Sequence, residues 1–184
     1  MNNNFEPENH LDAKESRWFA VYTRYKREKI VLAELERKGI EVFLPIQKLL
    51  RQYGRKKRMV EMPLFSCYVF VKIKKGDYVP VLSTENVVRF IQFSGNLISI
   101  PEDEIDIIRR IIGEGILIEA EKGLLIEGDK VEIISGQLSG MQGNLLEIQG
   151  KNKVLIELAY LGYTLKLELP TSYLQRLESS VAVD

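Results

Sequence analysis

Apolar residues along the chain follow two rhythms, and the change between them divides it. Trp18 to Thr23 is a short aromatic and β-branched run, which predicts a strand. Lys26 to Lys38 predicts a helix: its charges are dense, Ile30, Val31, Leu32 and Leu35 cluster in the middle turns, and Gly39 suits the residue after its end. Val42, Leu44 and Ile46 alternate with other residues and predict a second strand. Leu64 to Ile73 is almost wholly apolar and aromatic, the pattern of a strand buried on both faces, and Val87 to Phe93 predicts another. Ser99 and Glu102 have capping-box spacing, and Ile105, Ile108 and Ile112 then share one helical face. Strand, helix, strands and helix in this order predict an α+β fold, an α/β sandwich with helices flanking a small, mainly antiparallel sheet.

Beyond Ile112 the rhythm becomes wholly two-residue. Val131 to Ile134, Leu145 to Ile148, Val154 to Leu158 and Tyr163 to Leu169 follow one another closely, with Gly136, Gly140 and Gly143 punctuating a turn. Short strands at regular spacing predict a small all-β barrel. The expected organisation is therefore a disordered lead-in (1–16), an α/β domain (17–113), a linker (114–127) with room for a short strand at Ile116 to Ile118, a barrel (128–178) and a tail (179–184).

Charge adds to this picture. The chain is neutral overall, yet Arg17 to Arg89 carries 17 Lys/Arg against 7 Asp/Glu, a net of +10, while the segments on either side are net acidic. A basic first domain joined to an acidic remainder points to a polyanion partner for the first domain. Its densest cluster is Arg51, Arg55, Lys56, Lys57 and Arg58 around Gly54, which predicts a basic hairpin or loop; Arg24, Lys26 and Arg27 sit near the start of the first helix, where cations oppose the helix dipole. Lys72, Lys74, Lys75 and Arg89 could extend the same face. Lys and Arg there would neutralise phosphates and release counterions.

The chemistry of catalysis is sparse. The single histidine, His10, falls in the lead-in, and the single cysteine, Cys67, falls in an apolar strand and reads as core. One cysteine permits neither an internal disulfide nor a thiolate zinc site. No phosphate-binding glycine loop occurs, and Glu102, Asp103, Glu104 and Asp106 open a helix, where acids complement the dipole. No run of about 18 apolar residues predicts a membrane span. The expectation is a cytoplasmic binding protein, not an enzyme, with no cofactor and no metal.

Two patterns carry a resemblance. The first is Trp18-Phe19-Ala20-Val21-Tyr22-Thr23, a helix with Glu28, then Phe43-Leu44-Pro45, then Pro63-Leu64-Phe65-Ser66-Cys67-Tyr68-Val69-Phe70-Val71. The second is Gly128-Asp129-Lys130-Val131-Glu132-Ile133 followed by Gly136, Gly140 and Gly143. Together they resemble the NusG family of transcription elongation factors, with an NGN domain followed by a KOW domain, the latter an SH3-like barrel. Phe43-Leu44-Pro45, Pro63-Leu64-Phe65 and Leu49-Leu50-Arg51-Gln52-Tyr53 look more like the specialised RfaH and UpxY-type paralogs than the general factor. The chain departs from the family where Ser66-Cys67 replaces Pro-Gly or Pro-Asn and Gly136-Gln137 replaces Gly-Pro.

The resemblance implies a monomeric transcription elongation and antitermination factor. Its NGN domain would bind the clamp helices of RNA polymerase through Tyr22, Phe65, Tyr68 and Phe70, and would lie over upstream or non-template DNA. Its KOW domain would recruit Rho or a small-subunit ribosomal protein, with Tyr160 and Leu161 in the contact region and Gly136, Gly140 and Gly143 shaping the turn. The UpxY type acts on capsular polysaccharide operons. The competing reading is a KOW-type RNA- or ribosome-binding protein without a polymerase role, which explains the basic loop and the barrel but not the aromatic strands.

Overall fold

A computed structural model describes residues 8–53, 55–113, 116, 118–123, 128–148 and 151–177. The expected tail (179–184), the first seven residues of the lead-in, Gly54 and parts of the expected linker lie outside them. The chain divides into two compact units, one of residues up to Pro45 with Phe65–Ile105, the other of Ile46–Leu64 with the residues from Asp106 on.

In the first unit, β1 (Arg17–Thr23) is followed by α1 (Glu28–Arg37) and β2 (Glu41–Phe43). The chain returns as β5 (Tyr68–Ile73), a short helix α2 (Tyr78–Leu82) and β6 (Val87–Phe90). The sheet order is β2-β5-β1-β6; β1 pairs antiparallel with β5 and β6, and β2 pairs antiparallel with β5. The central pair β1 and β5 is the most apolar part of the chain, since both faces of its middle are covered: Phe19, Val21, Val69, Val71 and Ile73 are fully buried. α1 lies against β2 and β5 with Val31 and Leu35 fully buried. α3 (Glu102–Gly113) starts in the first unit and continues into the second, with Ile105, Ile108 and Ile111 buried. Ile111 thus takes the place expected for Ile112, and because the helix begins at Glu102, Ser99 lies too far upstream to cap it.

Three departures from the sequence reading have local causes. Pro45 breaks the expected strand at Val42–Ile46 into β2 and the start of a hairpin. The strand expected from Leu64 begins only at Tyr68, because Cys67 takes a left-handed φ of 66°. Residues 8–16, expected to be disordered, are tied down by hydrogen bonds rather than apolar burial. Leu97 donates to the Glu8 carbonyl and His10 to the Leu97 carbonyl, both at 2.9 Å, and Lys75 donates to the Asp12 carbonyl at 2.7 Å. His10 Nδ1 accepts the Ser99 N–H at 3.1 Å while Nε2 faces Glu8 Oε1 at 2.7 Å. The Asp12 carboxylate caps the N–H groups of Glu15 and Lys14, which lowers its pKa.

In the second unit, β3 (Ile46–Tyr53) and β4 (Lys56–Pro63) form a separate two-stranded hairpin. The barrel is a six-stranded antiparallel sheet of β7 (Ile118–Lys122), β8 (Asp129–Ile133), β9 (Gln142–Ile148), β10 (Lys151–Leu158), β11 (Tyr163–Glu168) and β12 (Leu174–Arg176), in the order β12-β8-β9-β10-β11-β7. Part of the expected linker therefore belongs to the sheet, as β7 pairs with β11 from Ile118↔Leu167 to Lys122↔Tyr163. Val131, Ile133, Val154, Leu158, Leu165 and Leu167 form its fully buried centre.

Candidate functional site

The register of the first sheet builds a graded face. Tyr22 on β1 stands between Tyr68 on β5 and Arg89 on β6. The next rung of the same face is Ala20, Phe70 and Phe43, and the one after is Trp18, Lys72 and Glu41. The Tyr22 and Tyr68 rings meet edge-to-face at 5.9 Å, and the Arg89 guanidinium lies 5.6 Å from the Tyr22 ring centre. Both tyrosines are half-buried. Phe70 is wholly buried and Phe65 is 2% exposed, so neither offers a contact surface; this corrects the reading that placed all four aromatics on the docking face. Phe65 stacks edge-on against Phe70 at 5.9 Å because the Ser66–Cys67 turn folds it back under the strand. Tyr22 and Tyr68 are thus the accessible pair, and Phe65, Phe70 and Phe43 form the layer that fixes their height.

That turn is held from α1. Cys67 is buried in a left-handed conformation that non-glycine residues adopt at a cost of about 1–2 kcal/mol. Its N–H donates to Glu28 Oε1 at 2.8 Å, and its carbonyl accepts the Thr23 N–H at 2.8 Å. Glu28 is itself 4% exposed and sits in the first turn of α1, where the helix dipole favours a carboxylate. The Tyr22 phenol is held above its ordinary pKa first by its side-chain hydrogen bond with Cys67, with Arg89 working in the opposite direction. Glu28→Ala would leave the buried Cys67 N–H without an acceptor and is expected to cost about 2 kcal/mol; the shift of the urea-denaturation midpoint measures it.

The cations fall in two places. In the first unit, Arg24, Lys26 and Arg27 are all exposed. α1 starts at Glu28, two residues later than the sequence pattern suggests, because Lys26 has a φ of 59°, and no side chain caps the helix N-terminus. Tyr25, which sequence reasoning passed over, is 67% exposed with Lys26 Nζ 5.2 Å from its ring centre. Lys72 does not extend this surface: it lies on the Trp18 ring and donates to Glu102 Oε2 at 2.8 Å. In the second unit, Arg51, Arg55, Lys56, Lys57 and Arg58 are exposed, with Arg51 directly across the hairpin from Arg58. No ion pair engages any of the five among the described residues. Like charges directly opposed across a ladder destabilise it.

In the barrel, Gly136 and Gly140 have left-handed φ of 76° and 85°. Gly143 is different: it lies within β9 and serves close approach, since a Cβ there would stand 2.5 Å from the Leu155 carbonyl oxygen. Tyr160 is 47% exposed, whereas Leu161 is 5% exposed. Leu161 is therefore core and not a contact residue, because its turn, closed by the Leu161 N–H to the Leu158 carbonyl at 3.1 Å, points it inward. Among the described residues no group of His, Cys, Asp and Glu is arranged to hold a metal ion, and no helix is long and apolar enough to cross a membrane.

Comparison with known proteins agrees with this architecture. The family model for transcription termination factor nusG matches residues 16–109. The transcription termination/antitermination protein NusG of Thermus thermophilus is 27% identical over 161 residues, spanning 76% of this chain and 88% of that protein. The corresponding protein of Lactococcus lactis is 25% identical over 184 residues, spanning 94% and 99%. A solved structure of Thermotoga maritima NusG, determined in a study of its domain interaction, superposes with a TM-score of 0.55 at 27% identity, over 90% of this chain and 99% of that one. The chain belongs to the NusG family of transcription termination and antitermination factors.

Proposed function

We propose that this chain is a non-enzymatic, cytoplasmic elongation and antitermination factor that docks on the clamp helices of RNA polymerase through the Tyr22–Tyr68 pair. The observation that carries the reading is that pair: two half-buried tyrosines, locked edge-to-face on a rigid sheet and seated on a buried aromatic layer. Aromatics with few rotors bury large areas at low entropic cost and dominate interface hot spots. The 17–113 segment acts as the NGN domain and the 128–178 segment as the KOW domain, which recruits Rho or a small-subunit ribosomal protein with Tyr160 in the contact. The likeness of Phe43-Leu44-Pro45 and Leu49 to Tyr53 to the RfaH and UpxY type supports an operon-specific role, of the capsular polysaccharide kind.

The hairpin cations, with Arg24, Lys26 and Arg27, hold upstream or non-template DNA. Two of the five hairpin cations are enough to test this. Lys56→Glu with Arg58→Glu is expected to reduce crosslinking to DNA in an elongation complex by about tenfold at moderate salt, and to flatten its salt dependence. Unaltered crosslinking would remove the hairpin from the nucleic-acid surface. The function itself is tested by terminator readthrough in a purified transcription system, where addition of the protein raises full-length product.

A further inference from the structure

A single charge stands beside the tyrosine pair. Arg89 is the β6 partner of Tyr22 in the ladder, so its side chain leaves the same face of the sheet as Tyr22 and Tyr68. The next rung of that face, Ala20, Phe70 and Phe43, is wholly apolar. Lys72, one rung further, donates to Glu102 at 2.8 Å and lies on the Trp18 ring. Arg89 has no such counter-ion. It is exposed, its guanidinium lies 5.6 Å from the Tyr22 ring centre, and among the described residues no carboxylate pairs with it. β6 ends the sheet order, so no further strand lies beyond the guanidinium. A partner that seats on the two rings also covers the cation packed on one of them. Removing a cation from water without a counter-charge is costly. Arg is nonetheless enriched in protein interfaces, where its fork takes a carboxylate through two parallel hydrogen bonds. A phosphate is the poorer match. Surfaces that track a nucleic-acid backbone string several cations together, whereas the neighbours of Arg89 on this face are aromatic, apolar or, in Lys72, already paired.

We propose that Arg89 is a specificity-determining residue of the docking face, and that the segment of polymerase seated on Tyr22 and Tyr68 presents an Asp or Glu carboxylate to its guanidinium. This pairing rests on the docking reading given above and adds to it the charge that the partner must carry. The ring contact holds the guanidinium in place before binding, so less rotamer freedom is lost when the carboxylate arrives. The tyrosines supply the apolar anchor. Arg89 selects against partners that are neutral or basic at that point, because they would leave a covered cation unpaired.

The test is equilibrium binding of the full-length protein to core RNA polymerase over a range of salt concentrations. Arg89→Ala is expected to weaken binding about tenfold at low salt and by much less at high salt. Arg89→Lys keeps the charge but not the fork, and is expected to fall between the two. A double-mutant cycle identifies the partner group. Each Asp and Glu of the clamp helices is changed in turn to Asn or Gln, and one of these changes is expected to cost affinity with the wild-type protein but almost none with Arg89→Ala. Arg89 is exposed, so circular dichroism of the variants should match the wild type. Unchanged affinity overturns the proposal. A loss that is equal at every salt concentration and couples to no carboxylate also overturns it, and assigns Arg89 to steadying the Tyr22 ring. Intact polymerase binding with weakened DNA crosslinking in an elongation complex assigns the guanidinium to a phosphate and overturns it as well. If the wild-type protein does not bind polymerase, the docking function itself fails and the pairing falls with it.

Discussion

Replacing Gly128 with alanine is expected to destabilise the barrel by about 3 kcal/mol or more, which lowers its melting temperature by roughly 12 °C or more. Gly128 has a φ of 88°, and a Cβ there would stand 1.8 Å from the Leu145 carbonyl oxygen and 2.8 Å from its carbon. Those atoms belong to β9, which pairs with β8 from Asp129↔Leu145 onward, so the obstacle is ladder backbone and not a side chain that could swing away. Strain from the left-handed φ adds to the collision. Gly140 supplies the control. Its φ is 85°, but nothing lies within 4 Å of its added Cβ. Gly140→Ala is therefore expected to cost only about 1–2 kcal/mol. Thermal unfolding followed by circular dichroism separates the two substitutions, and equal losses would contradict the close approach. A domain of this size has little stability to spare, so the Gly128 variant should lose the barrel while the first unit retains its fold.

The second large effect is on polymerase affinity. Tyr22→Ala combined with Tyr68→Ala is expected to weaken binding to core RNA polymerase by about 30-fold or more, or roughly 2 kcal/mol. The two rings touch each other, so the single substitutions should not add: removal of either also releases its partner from the edge-to-face contact. Stability should change much less than affinity, because both tyrosines are half-exposed and the layer beneath them, Phe43, Phe65 and Phe70, stays in place. Fluorescence anisotropy of labelled protein measures the affinity, and circular dichroism of the same sample shows the fold. Unchanged affinity in a folded double variant would remove the pair from the docking surface.

Much of the architecture is legible in the sequence because periodicity is a direct record of burial. Trp18 to Thr23 reads as a strand from its β-branched and aromatic content and forms β1 almost to the residue. The two rhythms predict the sheet with helices and the barrel that the structure contains. What is not legible depends on contacts distant in the chain. Residues 8–16 look dispensable because they are polar, yet Asp12, His10 and Glu8 are held by hydrogen bonds to residues more than sixty positions away. α2 is hidden because Pro80 sits within its five residues. At the candidate site, alternation identifies the right strands but not how far each ring is buried. Phe65 and Phe70 sink because Cys67 turns the chain under itself, and the sequence signals that turn only as a departure from the family's Pro-Gly or Pro-Asn. Gly128 is visible in the sequence as the start of the second motif, but its close approach is not, because the neighbour it meets, Leu145, comes from a different strand, whereas Gly136 and Gly140 announce themselves by their spacing in one turn.

The most direct test of the account is equilibrium binding of the full-length chain to core RNA polymerase, with and without a peptide of the clamp helices as competitor. The account predicts saturable binding that the peptide abolishes and that the double tyrosine variant largely loses. Absence of binding by the folded chain would contradict it and favour an RNA- or ribosome-binding role for the barrel instead.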